Sequence, residues 1–130
     1  MSKNVLIVDD DPDVRMFNTE VVKENGYNPI VAKNGEEALE IIKKTKPDLV
    51  ILDVLMPRQS GIKMYRELKS DDSLKDIPVI ILSGIARRTF IRSQEALTEF
   101  GDENVPNPEI YLEKPVEAEE LIDSVKKMLD

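Results

Sequence analysis

The chain has no cysteine and no histidine. The first absence excludes disulfides and thiol chemistry, and the second removes the usual metal ligand and the usual general base. Whatever chemistry exists must use carboxylates, hydroxyls and lysines. Long apolar runs are missing too. The first such stretch covers only Val5–Val8 and leads straight into Asp9, Asp10 and Asp11, so it is neither a signal-peptide core nor a membrane span. A cytoplasmic protein without membrane contact is the expectation. Positive charge is in short supply, with 18 basic against 26 acidic residues and a net charge of -8. That balance opposes binding to nucleic acid or anionic lipid and favours a metal cation or a basic protein face.

What is present describes one folded domain over residues 1–130, a length that leaves no room for a separate output domain. Short runs rich in Val and Ile predict strands over Lys3–Asp9, Asn28–Ala32, Asp48–Asp53, Ile77–Leu82 and Glu109–Leu112, and segments of helical period fill the gaps. Asp11-Pro12 starts the first helix, as a capping carboxylate followed by proline, and Asn25-Gly26 ends it. Asn34 with Glu37 resembles a capping box that opens the second, which closes before Pro47. Helices are expected near Ile62–Lys69 and Arg87–Phe100. The last is the clearest, because Ala118, Leu121, Ile122, Val125, Met128 and Leu129 recur at three- and four-residue steps. Alternating strands and helices with right-handed crossovers point to an α/β fold, a doubly wound parallel sheet in the order 2-1-3-4-5.

In such sheets ligands bind beyond the carboxyl ends of the strands. The first strand ends in Asp9 and Asp10, the third in Asp53 and the fourth in Ser83, while Lys114-Pro115 follows the fifth. Crowded carboxylates repel one another, so either one stays protonated or a cation sits among them, and an oxygen-only donor set favours Mg2+. Lys114 and Ser83 add a positive charge and a hydroxyl, which suit an incoming phosphoryl oxygen.

Four segments carry a family resemblance: Val5-Leu6-Ile7-Val8-Asp9-Asp10-Asp11-Pro12; Asp48-Leu49-Val50-Ile51-Leu52-Asp53-Val54-Leu55-Met56-Pro57 with Gly61; Pro78-Val79-Ile80-Ile81-Leu82-Ser83-Gly84; and Tyr111-Leu112-Glu113-Lys114-Pro115. In this order they resemble the receiver domain of two-component response regulators, from about residue 3 to the C-terminus. The resemblance implies a flavodoxin-like sheet with five helices. It implies a stand-alone receiver in which Asp53 accepts a phosphoryl group from a histidine kinase or phosphotransfer protein. Asp10 and Asp53 would bind Mg2+ directly with the Leu55 backbone carbonyl, and Asp9 largely through water. Ser83 and Lys114 would hold phosphoryl oxygens, and Pro115 would follow a cis peptide bond. Tyr111 would be the switch aromatic, acting with Ser83. A downstream effector protein would read the face made by helix four, strand five and helix five, from a monomer or a phosphorylation-dependent homodimer.

Plainer readings compete at each position. Asp11 reads as a helix cap, Ser83 alone as a turn residue, Lys114 alone as a surface lysine and Tyr111 as a half-buried strand aromatic. Arg87, Arg88 and Arg92 read as a solvated helix face. An aspartyl-phosphate phosphohydrolase is one rival, opposed by Leu55 at the position where such enzymes carry a second acid. A receiver-like scaffold that is not phosphorylated is another. A nucleotide or flavin binder lacks its Gly-rich loop after the first strand. One departure from the family stands out: the stretch from Ser83 to Lys114 is long, with Asp102-Glu103-Asn104-Val105-Pro106-Asn107-Pro108 replacing a small-residue turn.

Overall fold

A computed structural model describes residues 2–57, 60–99 and 104–130. Along these residues β1 (Asn4–Val8), α1 (Pro12–Glu24), β2 (Asn28–Ala32), α2 (Gly35–Lys44), β3 (Leu49–Leu52), α3 (Ser60–Ser70), β4 (Val79–Ser83), α4 (Arg87–Glu99), β5 (Ile110–Glu113) and α5 (Ala118–Leu129) follow one another. The strands form one sheet in the order β2-β1-β3-β4-β5, every neighbouring pair parallel. Both features agree with the sequence reading.

Several expected boundaries move. Lys3, Asp9, Asp48 and Asp53 flank their strands rather than belong to them, although Asp9 N–H still donates to Ala32 O and Asp53 N–H to Val8 O. Ile77 and Pro78 precede β4, because Ile77 N–H is used in a turn to Leu74 O and proline has no N–H to give. Glu109 precedes β5, which runs one residue further than expected, and α3 starts at Ser60. The expected end of the fourth helix at Phe100, and Asp102 and Glu103 of the long segment, lie outside the described residues.

Side chains alternate across the sheet, so each inner strand splits its residues between two cores. Leu6, Val8, Val50, Leu52, Val79 and Ile81 face Ala38, Ile42, Met64, Tyr65, Leu68 and Phe90 of α2, α3 and α4. Val5, Ile7, Leu49, Ile51, Ile80 and Leu82 face Val21, Val22, Leu121, Val125 and Leu129 of α1 and α5. Double coverage explains why the inner strands read as unbroken apolar runs. Polar groups stand where those runs end, and Asp9, Asp53 and Ser83 are buried with them.

Helix ends follow local chemistry. The Asp11 carboxylate accepts from Asp13 N–H and Val14 N–H and so caps α1, as its plain reading held. At the other end Gly26, at φ 88°, donates to Lys23 O, and Tyr27 N–H donates to Val22 O. A left-handed residue is needed there, and glycine takes that conformation without steric cost. Asn34 Oδ1 caps α2 through Glu37 N–H, while Glu37 Oε1 accepts from Lys33 N–H, one residue before the partner of a strict capping box.

The amino end of the sheet carries an ion pair that the sequence reading did not anticipate. Lys69 Nζ, on a side chain only 1 % exposed, donates to Glu109 Oε1 at 2.8 Å and to the carbonyls of Ile77 and Lys75. Glu109 Oε2 accepts from Val79 N–H. The pair thereby ties α3 and the starts of β4 and β5 together, at the end of the sheet away from the acidic cluster.

Candidate functional site

Strand register brings the expected residues to one edge. Val8 pairs with Leu52 across β1 and β3, so Asp9 and Asp53 emerge side by side, and Ser83 pairs with Glu113, the residue before Lys114. Lys114 N–H donates to Ser83 O at 2.8 Å, and the Lys114-Pro115 bond is cis, as the resemblance implied. Gly61 packs α3 onto the backbone beside the site. A Cβ at this position would collide with Asp53 O and Val54 Cα. Glycine is needed for that close approach.

Asp9 and Asp53 are almost wholly buried, whereas Asp10 is exposed. Lys114 Nζ lies 3.1 Å from Asp9 Oδ2 and 3.2 Å from Asp53 Oδ2. The second oxygens are held by backbone: Asp11 N–H donates to Asp9 Oδ1 at 3.0 Å and Leu55 N–H to Asp53 Oδ1 at 2.9 Å. Burial raises the Asp9 carboxyl above its ordinary value, against the bonds from Asp11 and Lys114. The charge of Asp53 is the smallest of these influences. Desolvation, more than mutual repulsion, is therefore the main electrostatic cost at Asp9. For Lys114, burial works against the charged form, but the bond to Asp9 and the charges of Asp53 and Asp9 outweigh it and raise the ammonium above its usual value. Both carboxylates thus meet a cation supplied by the chain itself.

The donor set also fits a divalent metal. One carboxylate oxygen each from Asp9, Asp10 and Asp53 lie within 4.8 Å of one another, all hard oxygen ligands of the kind magnesium takes. Leu55, expected to offer its carbonyl, has a side chain 60 % exposed at the rim.

Ser83 is fully buried, and its Oγ accepts from Ile85 N–H at 3.3 Å. Tyr111 is half-buried, and its hydroxyl donates to the carbonyl of that same Ile85 at 2.5 Å. One residue is thus gripped on both sides by the two groups expected to form a switch. Burial first, then the charges of Glu113 and Asp53, push the Tyr111 phenol up to about 12. Arg87, Arg88 and Arg92 are exposed on α4, in keeping with their plain reading.

Three further residues, one beside the site and two deeper in the fold, escaped the sequence reading. Arg15 Nη1 donates to Asp9 O at 2.9 Å and holds the β1–α1 turn. Tyr65, wholly buried on α3, donates to Pro106 O. Lys69 sits one helical turn beyond Tyr65 on the same apolar face, and that placement is the only signal the sequence offered for it.

The sequence matches the response regulator receiver domain family over residues 5–126. It is 32% identical to the polar-differentiation response regulator DivK of Brucella anthropi, covering 99% of this chain and 98% of that one. It is 35% identical to sporulation initiation phosphotransferase F of Bacillus subtilis, covering 99% of this chain and 95% of that one. Among solved structures, the receiver domain of a signal transduction histidine kinase from Syntrophus aciditrophicus superposes with a TM-score of 0.82 at 32% identity, covering 98% of this chain and 90% of that one.

Proposed function

The chain belongs to the response regulator receiver family, the phosphoacceptors of two-component signalling, and on that premise we propose that Asp53 is its phosphoacceptor. The observation that carries the assignment is the Lys114 ammonium bonded to both Asp9 and Asp53, which gathers the ends of three strands around one carboxylate. An Asp53 carboxylate oxygen attacks the phosphorus of a phosphohistidine or small acyl phosphate. A new P–O bond forms as the P–N or P–O bond to the donor breaks, and the bonding electrons leave with the donor.

The chain's own groups position this exchange. Leu55 N–H fixes Asp53 Oδ1, so the carboxylate does not rotate freely. Lys114, already beside Asp53 Oδ2, is placed to follow the negative charge onto a phosphoryl oxygen, and the buried Ser83 hydroxyl is a second partner for that group. Magnesium, held by Asp10, Asp53, the Leu55 carbonyl and, through water, Asp9, would supply charge neutralisation at the transferring group.

A donor protein must bring its phosphohistidine to this edge. Beside Lys114, Phe17, Leu82, Pro115 and Val116 line a groove of about 510 Å³, and Met16 and Phe17 are 66% and 42% exposed on α1. An apolar face next to the acceptor suits docking of a histidine kinase or phosphotransfer protein. Ser83 and Tyr111 then pass the change to the α4–β5–α5 face, where an effector protein reads it. This is the work of a signalling switch rather than of an enzyme with a diffusible product, and it suits a cytoplasmic setting. No helix among the described residues is long and apolar enough to cross a membrane.

The test is mass spectrometry after incubation with a small acyl phosphate and magnesium. The wild type should gain a single phosphoryl group, located on the peptide containing Asp53, and Asp53→Asn should gain none. A phosphoryl group at another residue in wild-type yield would remove Asp53 from the role.

A further inference from the structure

The Ser83 and Tyr111 contacts do not end at Ile85. The Tyr111 ring packs on Phe90 of α4 with centroids 5.5 Å apart, and Phe90 meets the edge of Tyr65 at 5.7 Å and an interplanar angle of 75°. Tyr65 Oη donates to Pro106 O at 2.5 Å. Three rings thus form one unbroken stack that begins at the loop after β4 and ends at the segment before β5. Among the described residues, segment 104–108 is short of other anchors. Asn104, Pro106 and Asn107 are exposed, and Val105 is only partly buried against the core.

We propose that Tyr65 is a positioning residue for the switch, the far end of an aromatic linkage that makes segment 104–108 report the phosphorylation state of Asp53. The proposal rests on the reading of Ser83 and Tyr111 given above and extends it to an element outside the α4–β5–α5 face.

The physical argument starts from the hydroxyl. A leucine or phenylalanine would fill the wholly buried site on α3 without adding a polar group. A buried phenol must find an acceptor, and the one it finds is a backbone carbonyl 41 positions away. The hydroxyl therefore does what packing alone does not: it fixes the loop to the stack. At the near end Ser83 Oγ holds Ile85 N–H and Tyr111 holds Ile85 O. When the Ser83 side chain swings toward a phosphoryl oxygen and its Oγ leaves Ile85 N–H, Ile85 loses one of its two restraints and the carbonyl that Tyr111 bonds is no longer fixed in place. Close packing transmits displacement between rings in contact, so a shift of Tyr111 is carried to Phe90 and from it to Tyr65. Tyr65 then moves Pro106. The requirement is an element with two arrangements that the site biases, and the tethered loop is that element.

Tyr65→Phe separates the tether from the fold, because the ring and its packing stay while only the hydroxyl is lost, and the exposed Pro106 can turn its carbonyl to water. Amide chemical shifts are recorded with and without beryllofluoride plus magnesium. In the wild type, Gly84–Arg92 and Tyr111 should respond together with Asn104, Val105 and Asn107. In Tyr65→Phe the first group should respond as before, and the second should lose most of its response. Phe90→Leu, which keeps the hydroxyl tether but breaks the stack, should also silence Asn104, Val105 and Asn107. If these amides respond in Tyr65→Phe as in the wild type, or are silent in the wild type while Tyr111 responds, the linkage is wrong and the switch reading stands. If Tyr111 and Gly84–Arg92 are silent in the wild type, the switch reading fails and the linkage falls with it.

Discussion

Lys114 Nζ lies 3.2 Å from Asp53 Oδ2, so the carboxylate assigned as phosphoacceptor is already paired with a cation belonging to the chain. The same ammonium reaches Asp9. Acidic clusters are expected to solve their repulsion with a metal or a proton, and here a lysine from the end of the fifth strand provides a third solution. It also places a positive charge where magnesium is expected to bind.

Lys114 and magnesium should therefore compete for Asp9 and Asp53. Lys114→Met should bind magnesium more tightly, by about tenfold, or ~1.4 kcal/mol, because the carboxylates lose their internal counter-charge. Titration calorimetry on chelator-treated protein measures it. Equal or weaker binding in the variant would show that the ammonium does not oppose the metal.

Gly61→Ala should lower stability by about 1–3 kcal/mol, since the new methyl group meets Asp53 O and Val54 Cα and one backbone must give way. The displaced segment carries Asp53, so phosphorylation by a small acyl phosphate should slow as well. Gly84→Ala is the control, because a Cβ there meets nothing within 4 Å. Urea unfolding of both variants separates the cases, and an equal effect at the two positions would refute the close approach.

At the other end of the sheet, Glu109→Ala should destabilise by about 3 kcal/mol, because it leaves the Lys69 ammonium buried beside two carbonyls without its counter-charge and strips Val79 N–H of its acceptor. Adding Lys69→Met to that variant should recover part of the loss, since an uncompensated charge costs more than an apolar chain of similar length. Thermal melts of the single and double variants decide it. No recovery in the double variant would mean that the charge of Lys69 is not the source of the penalty.

The contrast between the two ends shows what the sequence could reveal. Asp9, Asp53 and Ser83 each close an apolar run, and in a parallel sheet the ends of such runs meet on one edge, so their convergence with Lys114 was legible without coordinates. The pairing of Lys69 with Glu109 was not. Lys69 looks like the charged end of an amphipathic helix, its partner is 40 positions away, and pattern reading sends every charge to solvent. Tyr65 escaped for a related reason: a ring at a core position of a helix is read as packing, and nothing local shows that its hydroxyl needs Pro106. The early start expected for the fourth strand came from treating Ile77 and Pro78 as part of the apolar run, where hydrogen bonding excludes them. The expected end of helix four at Phe100 falls outside the described residues.

Alkaline pH should unfold the protein through its tyrosines. Burial, then the charge of Glu109, raises the Tyr65 phenol far above its ordinary value, and Tyr111 is pushed up to about 12. Unfolded, both titrate near ~10. The folded chain therefore holds its phenolic protons where the unfolded chain has released them, and binding more protons in the folded state makes stability fall as pH rises. Below about pH 10 the contribution is complete; the Tyr111 share drains away between about 10 and 12, and the Tyr65 share is fully lost only at still higher pH. Lys114, also raised in the folded state, adds a loss of the same sign. For Tyr111, partial exposure reduces the share to about 1–2 kcal/mol. Urea midpoints should be level from about pH 8 to 9.5 and then decline, and the decline should be shallower in Tyr111→Phe. The 295 nm phenolate absorbance of Tyr65 should appear only as the protein unfolds. A full phenolate signal in protein that is still folded would show that these rings lie in water rather than in the core.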